Sequence, residues 1–592
     1  MRPSDHMVLS ILALLILCHI VVGAIYESFD ELPTRDFHYI IIGGGTAGNV
    51  LANRLTEEPH TSVLVLEAGE STADVLLSQV PFFSSRLGGS PLDWNFTTTE
   101  QPGLNGRAIH FSRGFGLGGS SAINGMSYMR GSSQDYDRYA RISGDPIWGW
   151  DVLQPYMRKN EHFVAPADHH NITGQFDPAV HGFNGVTYVS LPGYPRATDE
   201  RVLQTTAEFP SEFPFNLDYN SGYQLGVGWA PLTVGNGTRS SSQTSYLGPE
   251  YIDRPNMHVL VHAHVTRILD TKNISQRPTF NAVEFTQDSG ATKHVLAPKI
   301  LKEIILSAGS IGTPHILLHS GIGSSTELAA LGIVSTLHLP DIGKNLSDQV
   351  LWNIPFTVND TNTIENLYYR NLTFQEEALA EWKSNRTGFL TVGIANQRGF
   401  LRIPEYAGIL DEEPCAGNET AHYELSFVNG INSNPPPEVG NFFVIAPAVL
   451  CPLSRGSVTI NSTNPLDPPV INPNYLSHAQ DLAIMKYAVE SAKEFVTAAA
   501  WKGYVLSIAT NTTDQDIRNG ASNLNHPVGT SSMSSAGASW GVVDPDLKMK
   551  GASGVRIVDA SVLSFVPAAH IQAAVYIFAE RAADLIKASA GM

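Results

Sequence analysis

The sequence predicts an α/β fold in which a Rossmann-like, doubly wound domain is joined to an α+β domain with an antiparallel sheet. Three observations predict it: a glycine-rich βαβ unit near the N-terminus, a second strand–glycine turn–helix at residues 303–323, and paired strand candidates with Pro-rich loops at residues 350–520. At 592 residues the chain is long enough for two closely linked domains.

The βαβ unit lies within residues 36–69. Residues 39–42 are apolar and β-branched, which is typical of a strand buried on both faces. Residues 47–55 show helical periodicity, and residues 62–66 form a second buried strand. Together these elements predict a nucleotide-binding crossover.

The glycines after the first strand follow the spacing G-x-G-x-x-G. Gly43 allows a tight turn, Gly45 lets the backbone approach a pyrophosphate, and Gly48 lets the helix pack close to the strand. Free N–H groups at the helix N-terminus attract phosphates. Glu67, 19 residues beyond Gly48, can accept hydrogen bonds from a ribose 2′-hydroxyl. The sequence therefore predicts a dinucleotide site.

Two further stretches extend this prediction. Residues 112–131 (SRGFGLGGSSAINGMSYMRG) carry small residues that let backbone lie against a planar or phosphorylated group, and residues 122–129 are predicted to begin a helix. Residues 303–323 (EIILSAGSIGTPHILLHSGIG) predict a third strand of the same sheet, with its turn also facing the dinucleotide. A further helix is predicted near residues 481–497, and an amphipathic helix at residues 572–587.

Composition and charge exclude several classes of protein. Apolar residues make up 43 % of the chain and charged residues 16 %, which argues against disorder. The net charge of −19, without a Lys/Arg-rich run, argues against nucleic acid or anionic membrane as partners. No P-loop, H-E-x-x-H or C-x-x-C motif occurs, so kinase and metallohydrolase functions lack support.

The first 24 residues are predicted to be a signal peptide. A weakly basic start is followed by the apolar run 7–22 and by Val22-Gly23-Ala24, which resembles a cleavage site; an uncleaved anchor is the alternative. The mature chain is therefore expected to be a secreted, extracellular glycoprotein with no membrane segment. Its N-x-S/T sequons begin at Asn95, Asn171, Asn236, Asn273, Asn345, Asn359, Asn371, Asn385, Asn418, Asn461 and Asn511. Cys415 and Cys451 can pair or remain free thiols.

Two sets of histidines invite a functional interpretation. His258, His262 and His264 would share one face of a strand, but no second ligand group accompanies them, so no metal site is expected. His526 lies in LNHPVGTSSMS, and His570 lies at the start of the C-terminal helix. Considered alone, each is more often a core residue than a catalyst.

Taken together, these segments resemble, in the same order along the chain, the glucose–methanol–choline (GMC) oxidoreductases. The resemblance rests on the glycine motif with Glu67, RGFGLGGSSAING, SAGSIGTPHILLHSGIG and the segments around the two histidines, and it runs from about residue 36 to 587. Within that family the chain is most similar to secreted fungal aryl-alcohol oxidases, through DWNFTTTEQPGLNGR, HPVGTSSMSSAGASWGVVDPDLKMKG and RIVDASVLSF.

The resemblance implies FAD as cofactor, with its ring at the boundary of two domains. It divides the chain into an FAD-binding domain (36–160, 232–348 and 526–592) and a substrate-binding domain (161–231 and 349–525). It implies that His526 is the base and His570 its partner at the flavin N5 edge. The residues expected to bind FAD are Gly43, Gly45, Thr46, Ala47, Gly48, Glu67, Arg113, Gly118, Gly119, Ser120, Asn124, Gly125, Val265, Ala308, Asp559, Ala560 and Gln572. Ile123 replaces the histidine that some relatives link to FAD, so FAD is expected to be non-covalent.

The expected reaction is oxidation of a primary alcohol to an aldehyde, with hydride transfer to flavin N5 and the electrons passing to O₂, giving H₂O₂, or to a quinone. Alternatives are a dehydrogenase of sugars or of a secondary-metabolite alcohol, and a hydroxynitrile lyase. The aromatic residues of aryl-alcohol oxidases are replaced by Gly125, by Asn525 and within residues 430–432, which argues against aryl alcohols as preferred substrates. The substrate is expected to be a small molecule and the protein a monomer.

Overall fold

The computed structural model describes residues 24–271, 277–432 and 435–592. Residues 1–23 of the predicted signal peptide and the sequon at Asn273 lie outside these ranges. Among the helices of the described ranges, none is both long enough and apolar enough to cross a membrane.

The predicted α/β fold is confirmed. One of its two large sheets is parallel and has six strands. Its strands lie in the order Ala24–Tyr26, Met257–Leu260, Val63–Leu66, Tyr39–Ile42, Glu303–Leu306 and Val555–Ile557. The two strands of the βαβ unit and the strand at Glu303–Leu306 are parallel neighbours, as predicted. Every residue of Tyr39–Ile42 and Val63–Leu66 is buried, which explains why both read as continuous apolar runs.

Close backbone contacts shape the first turn. Gly43 has φ +99°, a conformation that favours glycine. A Cβ atom added to Gly48 would lie 2.0 Å from the carbonyl oxygen of Gly43. The helix Gly48–Leu55 therefore packs directly on the turn, and its N-terminus points at the carboxyl edge of the sheet.

The second large sheet is mostly antiparallel, as predicted. Its main strands follow the order Val505–Ile508, Ile354–Val358, Phe442–Val449, Tyr423–Val428, Ala395–Leu401 and Gly226–Trp229, with Val350–Leu351 and Ser522–Asn523 beside them. The helix Ala479–Phe495 packs on this sheet through a cluster of aliphatic and aromatic side chains. The exact domain boundaries stay a prediction.

The remaining elements surround these two sheets. A three-stranded sheet comprises His264–Leu269, Ala282–Gln287 and Thr292–Leu296. The other α-helices of seven or more residues are Ser133–Ser143, Trp150–Asn160, Asp199–Glu208, Gly309–His319, Leu372–Asn385, Asp514–Gly520 and Gln572–Ala590. The last of these, the C-terminal helix, packs against Gly48–Leu55 and Trp150–Asn160.

The helix predicted to begin at residues 122–129 is absent. The chain forms a single 3₁₀ turn at Gly119–Ala122 and then runs irregularly to the helix Ser133–Ser143. Met126 has φ +65°, which is incompatible with a right-handed helix. Arg239 donates hydrogen bonds to the carbonyl oxygens of Ser121 and Asn124, and these interactions replace the helical ones.

The three histidines expected to share one strand face are in fact separated. His258 belongs to Met257–Leu260, and His264 begins the strand of a different sheet. Between them His262 has φ +56°, so the chain turns there, and its Nε2 lies 2.9 Å from a carboxylate oxygen of Glu27. The prediction failed because the alternating pattern continues through a turn.

Cys415 and Cys451 form a disulfide. This answers the question, left open by the sequence, of whether the two cysteines pair or remain free thiols. Both residues are buried, and the bond spans 36 residues of the chain. It links the loop before the strand Tyr423–Val428 to the end of Phe442–Val449.

Candidate active site

A cavity of about 1060 Å³ extends from the first glycine turn to His526 and His570. Its size suits a large organic cofactor together with a small substrate. Of the residues expected in the site, those that line the cavity are Gly43, Gly45, Thr46, Ala47, Glu67, Arg113, Gly119, Ser120, Asn124, Gly125, Val265, Ala308, His526, Asp559, Ala560, His570 and Gln572. The fold thus brings distant segments of the chain to one cavity.

Gly48 and Gly118 do not line the cavity. Gly48 lies under the turn against Gly43, as described above. Gly118 has φ +92° and donates its N–H to the carbonyl of Gly44 at 2.8 Å. Both therefore shape the walls of the cavity and do not face its contents.

The glycine end of the cavity fits a dinucleotide. A Cβ on Gly119 would lie 2.8 Å from the Cα of Gly45, so only a backbone without side chains fits there. Glu67 accepts N–H groups from Gly44 and Gly69, each at 2.9 Å, and burial raises its pKa. A carboxylate has further lone pairs, which can accept ribose hydroxyls. The residues present are thus compatible with FAD.

Buried polar contacts fix the wall around Asn124. Arg239 donates to the carbonyl oxygen and to Oδ1 of Asn124 at 2.7 and 2.8 Å. The amide of Asn124 in turn donates to Gln572. Asp559 accepts from the N–H of Gly309 at 2.9 Å and from Thr313 at 2.6 Å. These contacts join the small-residue segment, the helix Gly309–His319 and the C-terminal segment into one frame.

His526 has a defined tautomer. Its Nδ1 lies 2.6 Å from Oε1 of Gln349. The Gln349 amide nitrogen donates to the carbonyls of Leu450 (2.8 Å) and Pro567 (3.0 Å), which can only accept, so its oxygen must face His526. Nδ1 therefore carries the proton, and Nε2 has a free lone pair at the cavity.

Two hydrogen bonds hold the loop that carries His526. The backbone N–H of His526 donates to Oδ1 of Asp348 at 2.7 Å. Arg113 donates to the carbonyl of Asn525 at 2.6 Å. Asn525 itself has φ +61°, an unusual conformation that asparagine tolerates. These contacts keep the imidazole in one position.

His570 has the opposite tautomer. Its Nε2 lies 3.0 Å from Oε2 of Glu424, and a carboxylate can only accept, so Nε2 carries the proton. Burial opposes ionisation of Glu424, but Arg398 and His570 outweigh this effect and hold its pKa well below the ordinary range. Burial also lowers the pKa of His570. The rings of His526 and His570 lie 4.8 Å apart at 76°.

A reaction in which His526 accepts the substrate proton is expected to keep a constant rate from mildly alkaline to mildly acidic pH. Burial, together with the neighbouring His570, lowers the pKa of His526 well below 6.5, so its Nε2 remains unprotonated at neutral pH. The rate should fall only in more acidic solution, where the imidazole gains a proton. Rapid mixing with saturating substrate between pH 5 and 8 measures this dependence, and a midpoint at or above the ordinary pKa of histidine would contradict it.

Sequence reasoning missed the residues that orient the two imidazoles. Gln349, Glu424 and Arg398 lie far from both histidines along the chain. Asp348 and Gln349 end the segment LPDIGKNLSDQ, and Glu424 lies in an ordinary buried strand. No local pattern marks them, because their role depends on the pairing of distant segments.

Comparison with known proteins identifies the family. The GMC oxidoreductase family models match residues 37–351 and 452–579. The dehydrogenase eriK of Hericium erinaceus is 39 % identical, over 96 % of this chain and 97 % of the relative. Pyranose dehydrogenase 3 of Leucoagaricus meleagris is 38 % identical, over 96 % of each.

Solved structures agree with this assignment. A fungal aryl-alcohol oxidase superposes with a TM-score of 0.79 at 25 % identity, covering 94 % of this chain and all of that one. Similar structures also include an FAD-dependent oxidoreductase. The chain therefore shares its overall fold with these flavoenzymes. Its cavity has the glycine turn at one end and the two imidazoles at the other. The chain belongs to the GMC oxidoreductases, as an FAD-dependent enzyme that acts on the CH–OH group of its substrates.

Proposed function

We propose that this enzyme is secreted and oxidises a primary alcohol to an aldehyde, with His526 as the base. The observation that carries the proposal is the unprotonated Nε2 of His526, which Gln349 holds open to the cavity. A neutral imidazole with a low pKa is suited to accept the hydroxyl proton of an alcohol.

The chain's own residues perform the proton half of the reaction. The substrate hydroxyl donates to Nε2 of His526, and the proton moves to this nitrogen as the carbon–hydrogen bond breaks. Gln349 accepts from Nδ1–H throughout, which stabilises the imidazolium that forms. When bound, FAD supplies the hydride acceptor and passes the two electrons to O₂, giving H₂O₂, or to a quinone.

The cavity-lining residues of the glycine turn and of the small-residue segment would hold FAD without a covalent bond. Ile123, which lines the cavity, offers no nucleophile for such a bond. Gly43, Gly45 and Glu67 would bind the pyrophosphate and ribose of FAD. Asn124 and Gln572 lie on the cavity wall toward the imidazoles.

Secretion as a monomeric glycoprotein completes the proposal. Nine of the ten sequon asparagines in the described ranges are exposed. The exception is Asn345, whose amide donates to Ser532 and to the carbonyl of Ser564. Exposed asparagines can accept glycans in the secretory pathway.

Anaerobic mixing with a panel of primary alcohols and sugars tests the proposal. We expect at least one compound to bleach the flavin absorbance, and subsequent mixing with O₂ or benzoquinone to restore it. A flavin that no alcohol or sugar reduces would overturn the proposal. Release of cyanide from mandelonitrile without bleaching would instead identify a hydroxynitrile lyase.

A further inference from the structure

We infer that Arg239 is a positioning residue that raises the reduction potential of the flavin. Its buried positive charge orients the amide of Asn124, so that the cavity wall offers a hydrogen-bond donor to the flavin ring and favours the reduced, negatively charged form. This rests on the proposed function only in placing the flavin ring beside the two imidazoles.

Arg239 is a buried cation without a carboxylate partner. Its side chain is 3 % exposed, and no Asp or Glu of the described ranges forms an ion pair with it. Its Nε donates to the carbonyl of Ser78 at 2.7 Å, and its Nη1 donates to that of Ser121 at 3.3 Å. Nη2 is buried and bonds to no protein acceptor in the part of the chain that the structure describes. Burial lowers the pKa of Arg239 to about 9, so the side chain is charged at neutral pH and its charge is uncompensated.

The arginines that line the cavity differ from Arg239. Arg398 pairs with the carboxylate of Glu424, and Arg113 interacts with the opposite charge of Asp348. Arg239 does not line the cavity, but it bonds to Asn124, which does. Because no anion neutralises Arg239 and the surroundings are buried, its field is only weakly screened on the way to the cavity.

Arg239 determines which way the Asn124 amide points. A guanidinium can only donate, so the atom of Asn124 that lies 2.8 Å from Nη1 is the oxygen Oδ1, which also accepts the N–H of Met126 at 3.0 Å. The amide nitrogen therefore faces away from Arg239, and one of its hydrogens bonds to Gln572. No protein acceptor among the described residues bonds to the second hydrogen, which is left for a group in the cavity.

The orientation of Gln572 agrees with this assignment. The hydroxyl of Thr233 donates to the carbonyl of Met126 at 3.3 Å, so it accepts from the Gln572 nitrogen, which lies 3.2 Å away. The Gln572 oxygen is thus the atom that accepts from Asn124. All the hydrogen bonds from Arg239 to Thr233 run in the same direction, and such bonds strengthen one another.

The amide of Asn124 borders the place where the flavin ring would lie. Asn124 and Gln572 both line the cavity, and Gln572 follows His570 by two residues. Hydride transfer requires the ring to lie next to the reacting carbon, and that carbon is held beside the imidazoles. The second amide hydrogen of Asn124 is therefore available to an acceptor on the ring.

Alcohol oxidation adds a negative charge to that ring. The substrate carbon gives a hydride, which brings two electrons and one proton, while the hydroxyl proton goes to His526. A donor that is already oriented by a fixed cation stabilises the charged ring more than the neutral one, and it needs no reorganisation during the reaction. The arrangement therefore favours the reduced flavin.

The midpoint potential of the bound flavin tests the inference. We expect Arg239→Gln to weaken the binding of reduced FAD relative to oxidised FAD by about tenfold or more, the size of one hydrogen bond to a charged group. Tenfold corresponds to a fall of about 30 mV for a two-electron couple. Reduction by dithionite beside a reference dye measures the potential without any alcohol, so a flavin that no alcohol reduces would count against the proposed function alone.

Titration of flavin-free protein with oxidised FAD is the second measurement. The pyrophosphate of FAD carries the same charge in both redox states, so a cation that served it would change the affinity and leave the potential unchanged. Weaker binding of oxidised FAD with an unchanged potential would thus overturn the inference. An unchanged potential with unchanged affinity would also overturn it, because the charge would then have only a structural role.

Two further variants keep the inference testable if Arg239→Gln does not fold. Arg239→Lys retains the charge and should restore most of the potential. Asn124→Ala removes the oriented donor while Arg239 stays in place, and it should lower the potential in the same direction. A wild-type potential in Asn124→Ala would contradict the inference.

Arg196→Gln provides the matched control. Arg196 is also buried, lies 4.3 Å from the centre of the Phe389 ring and does not line the cavity. This variant should therefore keep the wild-type potential. A fall equal to that of Arg239→Gln would show that the loss of any buried charge has the same effect, which would overturn the specific role of Arg239. Melting temperature reports whether each variant is folded.

Discussion

Replacing His526 with alanine is expected to slow flavin reduction by about 10²–10⁴-fold, the usual contribution of a positioned general base. The variant lacks the unprotonated Nε2 that Gln349 holds at the cavity. Binding of the alcohol beside the flavin remains, so a slow reaction should persist. Anaerobic rapid mixing with the best alcohol of the panel measures the rate.

An exposed histidine provides the matched control. His60 lies on the surface, away from the cavity lining, so His60→Ala should reduce its flavin at the wild-type rate. A loss of less than about tenfold in His526→Ala, with flavin still bound, would show that another group takes the proton.

The second large effect concerns the glycine turn. We expect Gly48→Ala to destabilise the fold by about 1–3 kcal/mol or more, because its Cβ would lie 2.0 Å from a backbone carbonyl that cannot move without distorting the turn. Gly45 differs, since the nearest atom to an added Cβ is 3.7 Å away, at Gly119. Gly45→Ala should therefore keep the stability of the flavin-free protein but lose affinity for FAD.

Thermal melting of flavin-free protein and titration with FAD distinguish the two substitutions. The expected pattern is a lowered melting temperature for Gly48→Ala alone and weak FAD binding with a normal melting temperature for Gly45→Ala. Equal melting temperatures for the two variants would mean that the turn adapts to the added methyl group. Normal FAD affinity in Gly45→Ala would mean that the pyrophosphate does not approach this residue.

Three neighbouring strands of the six-stranded parallel sheet were predictable because their signals are local. Tyr39–Ile42 and Val63–Leu66 are buried on both faces, so their sequences are continuous apolar runs. Of the glycines between them, Gly43 is required by the positive φ of the turn, and Gly48 is required by the close contact with the carbonyl oxygen of Gly43. The two histidines gained their functional interpretation from the resemblance to a family, since neither carries a distinctive local pattern.

The orientation of these histidines could not be predicted from sequence. The tautomer of His526 depends on Gln349, whose own orientation depends on carbonyls of Leu450 and Pro567. Contacts of this kind join residues more than a hundred positions apart. Two local predictions were also wrong, near Met126 and His262, where a residue with positive φ interrupts a pattern that otherwise continues.

The position of Glu424 has a consequence for how the two large sheets are held together. This carboxylate belongs to the antiparallel sheet, yet it holds an imidazole that the C-terminal segment supplies. A movement of the two sheets away from each other would break the hydrogen bond between His570 and Glu424, although Glu424 would keep Arg398 and Ser426, which belong to its own sheet. The hydrogen bond therefore favours the arrangement in which the two sheets lie together and the imidazole keeps one orientation.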